Sequence, residues 1–445
     1  MQQLTMEDLE GLIGKVDDLT QGVSVPRLIY FSLDIVLRKA DGSPVVVDYN
    51  RNPWGLHRHN TVPHRIIKEE SLTRSARMGK STNQKVYTLQ QYLGKRVMAQ
   101  ADFRKGLGVF ILCDPVQFVG LVSNSHYTDS LRTLVGGIAG MGIRPYDIFV
   151  SSGRAPGSKK DLSTLRWDRF GQPRRGYKHP LMGPELSHAG LFINYGGTAY
   201  DASPTGFDGV KAIPGPQIAS NVVGAKSLCH AAVEEVCKDL SLPSKSFTPD
   251  FTVSSGKVLD VEQAVASYVA EGRMALVKYD QYGNAGSVVA VSKVEDLMNR
   301  IHETKKMVVQ DGVLCTNIRP AYDELHRFVV PFETVLIEEG VDKKTVPRGK
   351  GQCAFDLTPL AVHTETGTFE MASLAYRIAP YPLDATPRGW NANQTGMELG
   401  ILPAGDESRF NLSARDLAYT RLAVKVAGLG LLRLAEKLEV KNENS

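Results

Sequence analysis

Residues 34–50 read DIVLRKADGSPVVVDYN, and no other stretch limits the fold as much. Asp-Gly between two β-rich runs is among the strongest short-range hairpin signals. The runs at 35–37 and 45–47 therefore pair as antiparallel strands, with side chains alternating between two faces. Asp34 opens the first strand, and Asp48 and Asn50 close the second on one face. Folding the hairpin brings Asp34 near Asp48 and Asn50. Magnesium takes hard oxygen ligands and keeps substrate phosphates in its shell, so two carboxylates and an amide oxygen are a candidate magnesium–nucleotide platform. The plainer reading is a hairpin with polar ends.

The chain of 445 residues is long enough for two or three domains or one large multi-lobed enzyme. Hydrophobic content of 42% and charged content of 22% suit a globular protein, and a net charge of +4 is too small to argue for a nucleic-acid binder. The five cysteines (Cys113, Cys229, Cys237, Cys315 and Cys353) contain no CxxC pair. They fit reduced thiols of a cytoplasmic protein better than a disulfide framework or a zinc site. The N-terminus lacks the basic-then-apolar pattern of a signal peptide, and no uncharged apolar run reaches the ~18 residues of a membrane span. A cytoplasmic protein is the expectation.

Periodicity predicts a helix over 5–20 capped by Thr5, strands at 27–37 and 44–49, and a polar, partly helical stretch at 60–100. GVFILCDP, a helix ending in glycine, and YDIFVSS form a βαβ unit within 108–150, which implies a parallel sheet. Residues 153–180 hold eight basic residues against Asp161 and Asp168 and read as a solvated loop, or as a mobile loop that meets an anionic substrate or RNA. AGLFINYGGTAYDA reads as a hairpin-like strand pair. Helices follow at 223–239, in VLDVEQAVASYVAEG and in KVEDLMNRIHET, and strands in FVVPFETVLIEEGV and FDLTPLAVHTETGTFEMASLAYRIA. The last segment is a long helix that Ser413 caps with Asp416.

Two further segments carry candidate chemistry. In LVKYDQYGNAGSVV a buried strand delivers Lys278 ahead of Gly283, Asn284, Ala285 and Gly286. Glycines let backbone N–H groups approach phosphate oxygens, and a lysine supplies a point charge for them. TVLIEEGV ends a strand with Glu338 and Glu339, which either face an adenine ring or are simply exposed. Singly, each segment is a weak signal, and a structural role is the plainer reading.

Together these pieces resemble the ATP-grasp ligases. D-(x13)-D-x-N is similar to their metal motif, LVKYDQYGNAG to their phosphate-binding lysine and glycine loop, and VLIEEGV to their adenine hinge. In most members the metal motif comes last, whereas here it comes first. That order resembles the circularly permuted branch, the glutathione synthetases of eukaryotic type. NPWGLHRHNTVPHRII and KAIPGPQIASNVVGAKS also resemble segments of that branch. The resemblance implies an α/β (α+β) fold with three parts: residues 1–104 carrying the metal hairpin, 105–220 an inserted parallel α/β substrate lobe, and 221–445 the nucleotide lobe, lid and C-terminal helix. It implies Asp34, Asp48 and Asn50 as Mg2+ ligands. Lys226, Lys278, Gly283, Asn284, Ala285, Gly286, Glu338, Glu339, Val341 and Asp356 would bind ATP, and Arg377 and Arg58 (or Arg65) the substrate carboxylate. His57, His59 and His64 lie just after the metal strand, as structural residues or substrate contacts. The departures are Asp48 where the family has glutamate, and a glycine loop with only two glycines.

The implied activity is ATP-dependent carboxylate–amine ligation through an acyl phosphate. Its small-molecule substrates would be an acid and an amine, an amino acid or peptide, with neither membrane nor nucleic acid as partner. The alternatives are a phosphotransferase on the same lobe and a non-catalytic nucleotide- or nucleic-acid-binding protein. The hairpin would then join residues 270–380 in one sheet.

Overall fold

The computed structural model describes residues 4–23, 30–50, 108–113, 135–136, 138–139, 148–152, 163–167, 173–174, 189–194, 212–213, 225–280, 288–304, 307–318, 328–349, 351–364, 366–383, 397–402 and 407–443. The first helix, α1 (Met6–Gln21), is capped by Thr5. The Thr5 hydroxyl accepts the Asp8 N–H at 3.1 Å while the Asp8 carboxylate accepts the Thr5 N–H at 2.8 Å, so two of the donors left over at a helix start are satisfied.

Strands β1 (Tyr30–Leu37) and β2 (Pro44–Asn50) form the expected antiparallel hairpin, with Asp34 opposite Asp48 and Ser32 opposite Asn50. Far along the chain, β17 (Gly351–His363) and β18 (Phe369–Ile378) make a longer hairpin. β17 pairs with β1, and β19 (Glu398–Ile401) pairs with β18, giving the sheet order β19-β18-β17-β1-β2, with β16 (Thr345–Arg348) attached to β17. α1, α2 (Lys226–Asp239) and α5 (Ala414–Glu443) share one core with this sheet. Leu9, Val233, Val426 and Leu429 of the helices pack with Phe31, Leu33, Phe355 and Phe369 of the strands. α5 comes close because Gly428 has no side chain: a Cβ there would stand 2.4 Å from the Phe369 ring. Ser413 and Asp416 cap α5 reciprocally, as predicted.

A second antiparallel sheet runs β11-β10-β15-β9, made of β9 (Phe251–Ser255), β10 (Ala275–Tyr279), β11 (Val288–Val291) and β15 (Thr334–Glu339). α3 (Val258–Ala270) and α4 (Leu297–Thr304) supply Val261, Val265 and Ile301 to its core, against Val277, Val335 and Ile337. Beside it lie β12 (Met307–Gln310), β13 (Val313–Ile318) and β14 (Phe328–Pro331) as a three-stranded sheet. A third large sheet has the order β6-β5-β4-β3-β7-β8. Its strands are β3 (Gly108–Cys113), β4 (Ile148–Ser152), β5 (Ser163–Trp167), β6 (Pro173–Arg174), β7 (Ala189–Asn194) and β8 (Ala212–Ile213). β3 runs parallel to β4 and β7, as the βαβ reading requires.

Two expectations need correction, and a third holds for part of its range. The basic stretch 153–180 is not all loop: β5 within it pairs antiparallel with β4, and β6 with β5. β7 is not half of a local hairpin among the described residues, because both its partners, β3 and β8, run parallel to it. The hairpin does join late strands of 270–380 in one sheet, through β17 and β18, whereas β10 and β15 belong to a second sheet, from which Lys278 reaches the hairpin by its side chain. Residues 60–100 and most of the basic insert lie outside the described residues. Among the described residues no helix is long and apolar enough to cross a membrane. Cys229, Cys237, Cys315 and Cys353 are buried and form no disulfide.

Candidate active site

The hairpin end is irregular. Asp34 faces Asp48, yet Ile35 faces Val46, so Val47 is an extra residue in β2. Such a bulge takes its extra residue out of the ladder and bends the strand. The Val47 carbonyl accepts a hydrogen bond from Lys278 Nζ at 3.3 Å, from a residue 231 positions away. Carboxylates directly opposite one another repel unless cations intervene. Here cations arrive from two directions. Arg377 of β18 brings Nη2 to 2.5 Å from Asp34 Oδ2 and 3.9 Å from Asp356 Oδ2, and Lys343 Nζ lies 3.2 Å from Asp356 Oδ1. Burial raises the Asp34 carboxyl above its ordinary pKa, Arg377 pulls it back, and Asp48 adds to the rise. Burial opposes the charge of Arg377, but Asp34 and Asp356 outweigh it and hold the guanidinium ionised.

The second cation comes from the start of α2. Its N-cap residue, Ala225, has no capping side chain. Asp280, just past β10, takes over: its carboxylate accepts the Ser227 N–H at 2.8 Å and hydroxyl at 2.6 Å, and its carbonyl accepts the Lys226 N–H at 3.0 Å. An acid at this end also suits the helix dipole. The result fixes Lys226 on the first turn, with Nζ 3.3 Å from Asp48 Oδ1. Burial works against the Lys226 charge, and Asp48 and Glu338 reverse the balance and raise its pKa.

Behind this edge lies a buried polar chain. Lys278 of β10 pairs with Glu338 of β15 through Oε2. The two are diagonal neighbours, since Lys278 faces Leu336 and Leu276 faces Glu338. Glu338 Oε1 meets His230 Nε2 at 3.1 Å, and His230 Nδ1 meets the Tyr49 hydroxyl at 3.0 Å. Glu338 and His230 are 0% exposed. Burial alone would raise the Glu338 pKa; Lys278 and His230 outweigh it and lower it to about 2. Glu338 is therefore a carboxylate that only accepts, so Nε2 carries a proton and donates to it. In the neutral ring Nδ1 then accepts from Tyr49.

Of the residues singled out in the sequence, the structure brings Asp34, Asp48, Lys226, Lys278, Glu338, Asp356 and Arg377 to this edge. Glu338 is not an exposed strand end; its side chain points inward. Glu339 turns away to Arg273, whose Nη1 lies 3.6 Å from it, and Val341 is half-buried beyond the strand. Asn50 is placed by its backbone alone, opposite Ser32. Gly283, Asn284, Ala285, Gly286, Arg58, Arg65, His57, His59 and His64 lie outside the described residues. Among the described residues no three His, Cys, Asp or Glu side chains stand together as a metal site. The predicted ligand set holds only two residues of those types, and its hard oxygens match magnesium. Sequence reading missed His230, Tyr49 and Asp280.

No protein-family model and no curated protein sequence matches the chain. Among solved structures, it resembles a protein from Methylobacillus flagellatus KT provisionally named gamma-glutamylcysteine synthetase, at a TM-score of 0.53 and 14% identity, over 97% of this chain and 94% of that one. D-alanyl-alanine synthetase A from Vibrio cholerae gives a TM-score of 0.33 at 10% identity over 69% of this chain and 78% of that one. The D-alanine–D-alanine ligase from Coxiella burnetii gives 0.26 at 10% identity over 76% and 98%. The first likeness shows a fold shared nearly end to end, and the mixed α/β class agrees with the expected one.

Proposed function

We propose that the protein is an ATP-dependent carboxylate–amine ligase that forms an amide or peptide bond through an acyl phosphate. One observation carries this reading. Two buried lysines from separate elements converge on adjacent residues of the hairpin, Lys226 of α2 on Asp48 and Lys278 of β10 on Val47. A phosphate chain with its divalent cation needs such a cation-and-carboxylate edge. We read the hairpin's early place in the chain as the permuted order of the eukaryotic-type glutathione synthetases. Its pairing, through β1, with the late strand β17 supports this. With that order go the divisions 1–104, 105–220 and 221–445.

In this mechanism Asp34, Asp48 and Asn50 would hold Mg2+, which supplies charge neutralisation for the transferring phosphoryl group. Lys278 spends two of its three donors on Glu338 and Val47, so its geometry is fixed and the third serves phosphate. Lys226 exchanges Asp48 for phosphate oxygens. Backbone groups from Glu338 through Glu339 to Val341 hold adenine, and residues 283–286 cover the nucleotide and keep water from the acyl phosphate. Arg377, next to Asp34, and Arg58 bind the substrate carboxylate, for which a guanidinium fork is well shaped. Asp356 keeps Arg377 in place. Small-molecule substrates, buried thiols and the lack of a spanning helix among the described residues support a cytoplasmic enzyme.

The test is phosphate release from ATP and magnesium with pooled amino acids and short peptides. Release that requires both an acid and an amine is the expected result. A phosphorylated product formed without an amine would make the protein a phosphotransferase, and failure to bind nucleotide would end the reading.

A further inference from the structure

We infer that His230 is a positioning residue for nucleotide binding: it fixes Glu338, and through Glu338 the ammonium of Lys278, against the bulged strand β2. This inference rests on the ATP-ligase reading of the site. Three observations carry it. First, His230 is fully buried, yet neither ring nitrogen bonds to a nearby backbone group, the usual partner of a histidine that merely fills a core. Both reach side chains from distant segments, Tyr49 of β2 at 3.0 Å and Glu338 of β15 at 3.1 Å. Second, Glu338 divides its oxygens: Oε1 takes His230 and Oε2 takes Lys278. Without His230, Oε1 would be an unpaired buried acceptor, and the carboxylate would gain by turning toward the ammonium. That turn would draw Lys278 away from the Val47 carbonyl, which it meets at 3.3 Å. Third, the ring is clamped: its centroid lies 5.3 Å from that of Tyr49 and 5.2 Å from that of Phe251, so it cannot follow such a turn. His230 also stands on α2, one turn after Lys226, so the same helix sets both lysines.

The two amide replacements of histidine separate positioning from packing. Glutamine places its nitrogen near the Nε2 position and keeps the bond to Glu338, whereas asparagine reaches only the Nδ1 side. Affinity for a non-hydrolysable ATP analogue with magnesium would be measured by calorimetry, with circular dichroism to check folding. We expect His230→Asn to weaken binding about tenfold, as for the loss of one hydrogen bond to a charged group, and His230→Gln to stay within about threefold. In a Lys278→Ala background His230→Asn should cost nothing further, since the group it positions is gone. Equal weakening by Asn and Gln, unchanged affinity in His230→Asn, or a full extra loss in the Lys278→Ala background would overturn the inference. If His230→Asn does not fold, Tyr49→Phe decides: it removes only the hydroxyl held by Nδ1, a weakening of about threefold supports the inference, and unchanged affinity overturns it. Wild-type protein that binds no analogue would instead refute the ligase reading, and this inference with it.

Discussion

Two buried lysines of this protein have the same chemistry and opposite situations. Lys425, on α5, points its ammonium at Asp17 Oδ1 at 2.9 Å, Glu370 Oε1 at 2.8 Å and the Phe369 carbonyl at 2.7 Å. An ammonium has three donors, and here all three are used to tie α1, β18 and α5 together. Among the described residues Lys278 uses two, on Glu338 and on the Val47 carbonyl that the bulge released. Lys425 is a closed knot, and Lys278 is a held but incomplete one. The difference shows how a buried charge is read: counting its donors against its partners separates a group that joins elements from one kept ready for a ligand.

The largest effect expected is on stability, at the closed knot. Lys425→Met removes the ammonium that Asp17 and Glu370 share, and removing one partner of a buried pair costs about 3–5 kcal/mol. Urea unfolding should show that loss while the KM for ATP stays at its wild-type value. At the open site the order reverses. Asp48→Asn should lower ATP turnover about 100-fold or more, because a misplaced γ-phosphate loses the alignment that transfer needs, with circular dichroism unchanged; wild-type turnover in the folded variant would remove the metal assignment. Lys278→Ala and Lys226→Ala should each raise the KM for ATP about tenfold, the scale of one charge-assisted contact, and unchanged values in both would mean that the nucleotide lies elsewhere.

The smallest effect concerns pH. The Glu338 carboxyl is lowered from 4.5 to about 2 in the folded protein. Its contribution to stability is therefore complete above about 4.5 and is lost as pH falls toward about 2. The stability gap between wild type and Glu338→Gln should stay constant from neutral pH to about 4.5 and then narrow in acid. A gap that widens in acid would reverse the assigned sign.

Local signals made the hairpins, the capped helices and the parallel β3–β4 pair legible, because turn chemistry, caps and apolar periodicity act within a few residues. They also placed Asp34 across from Asp48. What they could not show depends on contacts between distant segments. Nothing in LCHAAVEEVC marks His230, whose partners lie 181 and 108 residues away. The pair IEE looks like an exposed strand end, and only the neighbouring strand carrying Lys278 explains why Glu338 is inside. The bulge at Val47 is equally silent, since VVV has no glycine or turn residue to announce it. The arginines and lysines of 153–180 suggested a loop, but β4 offers its edge to residues 163–167 and pairing outweighs composition. β10 lies apart from the hairpin sheet because both of its edges are taken, by β11 and by β15.

The most direct test titrates a non-hydrolysable ATP analogue with magnesium into wild type, Lys278→Met and Lys425→Met by calorimetry. The account predicts that wild type binds, that Lys278→Met binds about tenfold more weakly or worse, and that Lys425→Met, though less stable, binds like wild type. Equal affinity in wild type and Lys278→Met, or no binding in the folded wild type, would contradict it.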